Sequence, residues 1–111
     1  MGQLIYGPGT VYEMDDRTLA HVKLALTAKL RRQESFLLSW PIGVDQGSGR
    51  ASLWIAPSIP LQFRFSGGRP PTINKPWVVA MLETSHNDRG LVILPEAEIE
   101  RVTSSASDPT A

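Results

Sequence analysis

His21 and His86 are the only imidazoles in the chain, and there is no cysteine. Without thiols, disulfides, thiolate nucleophiles and cysteine-bound zinc are excluded. The two histidines fall in different elements, with no second histidine at metal-ligand spacing, so no metal and no cofactor is expected. His21 is predicted on the outer side of a helix, and His86 at a helix end. Ser48 and Ser66 stand among glycines, but neither lies in the Gly-x-Ser-x-Gly elbow that exposes a hydrolase nucleophile. Asp15 and Asp16 pair two carboxylates, the raw material of acid–base chemistry. Their position just before an apolar helical pattern explains them more simply as helix-capping residues. No catalytic residue is assigned.

Anion recognition has better material. Gly47-Ser48-Gly49-Arg50 and Ser66-Gly67-Gly68-Arg69 each join glycine to arginine. Glycine lets the backbone approach an anion, and a guanidinium can grip a phosphate or carboxylate with two donors. Neither is a Walker loop, because no Gly-Lys-Ser/Thr follows. Were the two loops to meet at one end of a sheet, Arg50 and Arg69 would form a small anion site; turn formation alone is the plainer reading. The chain has 11 basic and 11 acidic residues, yet between Arg17 and Lys75 nine basic residues accompany only Glu34 and Asp45. Arg17, Lys29, Arg31, Arg32, Arg50 and Arg69 are therefore the candidate residues for an anion or a nucleic acid. The alternative is that acids before and after this stretch neutralise it across the fold.

These residues need elements to hold them. Short strands are predicted at Gln3–Tyr6 and Val11–Met14 around the turn Gly7-Pro8-Gly9-Thr10. Leu19, Val22, Leu26 and Leu30 recur at helical spacing and predict a helix over Arg17–Gln33. On its opposite side Ala20, Leu24 and Ala28 lie within a basic rim of Arg17, His21, Arg31 and Arg32, which makes Leu24 the candidate for a partner face or a homodimer contact. Strands follow at Ser35–Trp40, Ala51–Ala56 and Ile59–Phe65; in the last, Ile59, Leu61, Phe63 and Phe65 alternate with Pro60, Gln62 and Arg64. Trp40, Trp54 and Trp77 are expected mainly in the core, with Trp54 free to take the opposite sheet face from Leu53 and Ile55. A second helix is predicted over Asn74–Ser85, with Pro76 in its first turn, and a final strand at Leu91–Leu94.

The order β-β-α-β-β-β-α-β predicts a two-layer α+β domain: a mostly antiparallel sheet of about five to six strands with two helices on one face. At 111 residues the chain makes one domain. It is assigned to residues 1–96, with 97–111 as a flexible tail that from about Ser104 is made of Ser, Thr, Ala, Asp and Pro with nothing to bury. No apolar run reaches the length of a membrane span, and Met1–Tyr6 does not read as a signal peptide, so residence in the cytoplasm without a membrane partner is expected.

Leu4-Ile5-Tyr6-Gly7, Asp15 to His21, Lys29-Leu30-Arg31-Arg32, Glu34-Ser35-Phe36, Ser39-Trp40, Gly47 to Arg50, Trp54-Ile55 and Pro57 to Leu61 together resemble a family of small actinobacterial proteins of unknown function. The resemblance continues through Asn74, Trp77, Met81 and Gly90-Leu91 to Pro95-Glu96. Members are commonly labelled ATP-dependent DNA ligase, which implies ligase activity or a DNA-repair accessory role. Ligase chemistry needs a lysine nucleophile in Lys-x-Asp-Gly. Lys23, Lys29 and Lys75 are the only lysines, and none is followed by that pattern. The expectation is a non-enzymatic binding module whose partner is DNA or an acidic protein. The alternative is a protein-interaction or homodimerisation domain without nucleic acid, and an active ligase comes last.

Overall fold

The computed structural model describes residues 1–42 and 49–99. Gly2–Tyr6 (β1) turns back into Thr10–Met14 (β2) in an antiparallel hairpin, with Gly2 opposite Met14 and Tyr6 opposite Thr10. Gly7 supplies the positive φ of 61° that so tight a reversal requires. Asp15 caps the next helix, Asp16–Leu30 (α1), its carboxylate accepting the Thr18 N–H at 3.0 Å. Phe36–Pro41 (β3) and Arg50–Ile55 (β4) pair antiparallel. Leu61–Arg64 (β5) returns to the free side of β1, with Tyr6 opposite Leu61 and Gln3 opposite Arg64. Lys75–Thr84 (α2) starts from Asn74, whose side chain caps the Trp77 N–H, and carries Pro76 in its first turn. Leu91–Val92 (β6) lies parallel to β3, and a third helix (α3) occupies residues 96–99.

The α+β class, the six strands and the mostly antiparallel pairing match the sequence pattern. The strands are divided, however, between two three-stranded sheets, β2-β1-β5 and β4-β3-β6. Pro57 and Pro60 lie between β4 and β5; neither has an N–H for a ladder, and the Ile59 N–H turns back to the Ala56 carbonyl at 3.0 Å. The chain is thereby turned away from β4 and onto β1. Contacts between the sheets include the Tyr6 hydroxyl donating to the Trp54 carbonyl at 2.7 Å and Tyr12 meeting Trp40 edge-on at 5.4 Å.

Leu4, Leu19, Val22, Leu26, Leu38, Ile55, Met81 and Leu91 are fully buried, with Trp77 beside them. Trp40 is half-buried, whereas Trp54 is 52% exposed on the outer face of β4. The expected domain boundary at residue 96 falls at the start of α3, and Ile99 packs into the core. The core therefore continues past the boundary drawn from composition; an isolated isoleucine among Glu and Arg gives no periodic signal. The rest of that tail lies outside the described residues, as do Gly47 and Ser48 of the first Gly/Arg loop. Among the described residues no helix is long and apolar enough to cross a membrane.

Candidate functional site

The first turns of α1 carry Asp16, Arg17 and His21, and each grips the segment that runs from the end of β5 to the start of α2. The Asp16 carboxylate accepts the Ser66 N–H at 3.1 Å on one oxygen and the Gly67 N–H at 2.8 Å on the other. These two amides, that of Gly67 foremost, hold the Asp16 carboxyl below its ordinary value. The Arg17 guanidinium donates to the Thr72 carbonyl at 2.9 Å. His21 accepts the Asn74 N–H on Nε2 at 2.8 Å, and its Nδ1 faces the Arg17 carbonyl at 2.7 Å. An amide can only donate and a carbonyl only accept, so the proton sits on Nδ1 and the ring is neutral. The imidazole stacks on Trp77 with centroids 4.4 Å apart.

Glu96 closes this arrangement from α3. Arg17 grips it with two parallel bonds of 2.7 and 2.6 Å, and the Asn74 side-chain amide adds a third at 3.0 Å. The Arg17 guanidinium first, and Asn74 second, hold the Glu96 carboxyl down to about 2. The segment over residues 66–74 is thus a strap fastened to α1 at both ends.

Between strap and helix lies a cleft of about 360 Å³. Ala20 and Leu24 from α1, Phe65, Pro70, Pro71 and Ile73 give it apolar walls, and Lys23 and Arg69 bring positive charge. The Lys23 ammonium sits 5.7 Å from the centroid of the Phe65 ring. Leu24 and Ile73 remain 39% and 38% exposed. The volume is at the small end of ligand pockets.

The structure distributes the expected site residues unevenly. Leu24 and Arg69, singled out for separate reasons, share this cleft. Arg17 is engaged by Glu96 and Thr72, and Lys29 by Glu34 at 2.9 Å and Ser85 at 3.2 Å. Both are tied into the fold. Arg31 and Arg32 are exposed just past the end of α1. Arg50 opens β4 and lines a different cavity of about 600 Å³ with Trp40, Ser52, Asp88, Arg89 and Glu98. Arg50 and Arg69 thus line separate cavities and do not form the joint anion site that the two loops would have made.

His21 and Ala20 are corrections, since both were expected around an outward Leu24 face and both are buried. Four consecutive residues, Leu19 to Val22, are buried because the strap and α2 cover the side of α1 that the sheets leave open. Asp16 and His21 are the site residues that sequence reasoning missed as fasteners. Their partners stand 50 to 53 positions away, where no local pattern reaches. Among the described residues no group of three or more His, Cys, Asp or Glu side chains is placed to hold a metal ion.

A family model described as a domain of unknown function, DUF7882, matches residues 1–96, and the chain belongs to that family. No curated protein and no solved structure matches it.

Proposed function

We propose that this member of the DUF7882 family is a non-enzymatic binding module that takes a segment of a partner protein into the strapped cleft along α1. The observation that carries the reading is the cleft's construction: four hydrogen bonds between α1 side chains and the strap backbone fix the strap wall before any ligand arrives. A wall already ordered lowers the entropic cost of binding, which suits recognition of a flexible segment. Half-exposed Leu24 and Ile73 offer apolar area that a partner can cover.

The chemistry of the lining supports binding over catalysis. The cleft's one carboxylate, Asp16, already accepts two amides, and its lysine lies against Phe65. Ligase activity is not part of the proposal, since none of the three lysines stands in Lys-x-Asp-Gly. Lysine-linked AMP after incubation with ATP and a divalent cation would reverse that judgement.

The test is peptide display against the purified protein, with Leu24→Glu as the counter-selection. Peptides should enrich on the parent and not on the variant. Equal enrichment on both proteins, or none on either, removes the cleft as the binding surface. Sedimentation of the free protein separates the rival in which a second copy covers Leu24. That rival requires a mass above 12.2 kDa that falls in Leu24→Glu.

A further inference from the structure

We infer that the segment bound in this cleft is acidic around a single apolar anchor and runs along α1 from the cleft toward Arg31. The inference rests on the binding-module reading and adds the partner's chemistry.

Positive charge predominates on the open side of α1, where Lys23 and Arg69 line the cleft with a single carboxylate, Asp16. After the cap, the helix contains a single carboxylate, Asp16, and the strap amides occupy both of its oxygens. Lys23 and Arg69 line the cleft, and neither is in a salt bridge among the described residues. Arg31 follows Leu24 by seven residues, which at about 100° and 1.5 Å per residue puts it on nearly the same face, roughly 10 Å further along. Leu24, Ala28 and Arg31 are all exposed along this line. An occupant must therefore cover Leu24 and Ile73 with apolar atoms and present carboxylates to Lys23, Arg69 and Arg31. A nucleic-acid duplex would answer the cations and leave the apolar walls uncovered, whereas an acidic peptide with one large apolar side chain answers both. Exposed charge pairs are individually weak, so the anchor supplies most of the affinity while the cations select and steer.

Fluorescence polarisation with four labelled probes tests this. They are a nine-residue peptide with one leucine among glutamates, its counterpart with lysines, an all-glutamate peptide and a DNA duplex. The leucine–glutamate peptide should bind about tenfold tighter than the lysine counterpart at low salt, as expected for a few exposed pairs acting together. The preference should shrink as salt rises. Replacing Lys23 and Arg69 together by alanine should abolish it while the amide spectrum of the folded protein persists. Tighter binding by the all-glutamate peptide or by the duplex overturns the anchored-segment model. Leu24-dependent binding of display-selected peptides with no preference for acidic probes overturns this inference alone and leaves the module standing. Absence of any Leu24-dependent peptide binding overturns both.

Discussion

Three donors converge on the carboxylate of Glu96, and its protonation is correspondingly costly to the fold. Arg17 and Asn74 hold the carboxyl at about 2, against an ordinary value of 4.5. A folded value below the unfolded one means that the stabilisation is complete above pH 4.5 and is lost as pH falls from there toward 2. Asp16 shifts in the same direction, so the strap weakens in acid at both ends. The melting temperature of the parent is expected to fall through that window, and Glu96→Gln should flatten the slope. An unchanged slope would place the acid sensitivity elsewhere. His21 marks the limit of reading single residues from sequence. It sits off the Leu19/Val22/Leu26/Leu30 stripe, and a solitary stripe predicts only the face turned to the main core. The second cover on α1 comes from Asn74 and Trp77, more than 50 positions away. A polar residue that one amide and one carbonyl satisfy fully can be buried as deeply as a leucine.

Elements were legible where periodicity alone decides them. The stripe of α1 is buried at Leu19, Val22 and Leu26, and β5 alternates half-buried Leu61 and Phe63 with exposed Gln62 and Arg64. The split into two sheets was not legible, because each strand's choice of neighbour depends on the path of the loop before it. The cleft was legible as separate parts: Leu24 and the Gly67-Gly68-Arg69 loop each stood out, but their adjacency depends on where Asp16, Arg17 and His21 fasten the strap. Gly90 exposes a similar dependence at β6. It has a φ of +76°, and a Cβ there would stand 2.4 Å from the Leu37 carbonyl oxygen and 2.7 Å from the Leu37 Cβ. Backbone strain and a clash with main-chain atoms that cannot swing aside act together, so Gly90→Ala should destabilise by about 3 kcal/mol, above the usual cost of a left-handed non-glycine residue. Chemical denaturation measures this, and a loss below about 1 kcal/mol would mean that β6 shifts without consequence.

Across the whole molecule the C-terminal segment matters more than its composition implies. The family match ends at residue 96, yet Ile99 is buried in the same core as Leu4, Trp77 and Leu91. Ile99→Ala should therefore cost about 2–5 kcal/mol in denaturant unfolding, the range for a buried isoleucine cut back to alanine, and a surface-like loss under about 0.5 kcal/mol would show that α3 rests loosely on the core. Glu96, three residues earlier, reaches back 79 positions to Arg17. The β1–β2 and β3–β4 hairpins close over short separations, while the strap spans 50 to 53 positions and its last fastener spans 79. Distant pairings form slowly and need the later chain to be present. A chain still being synthesised can fold its hairpins early, but the strap lacks its Glu96 fastener until residue 96 has emerged. On the binding reading proposed above, the nascent protein therefore meets its partner with a fully fastened strap only once residue 96 has emerged.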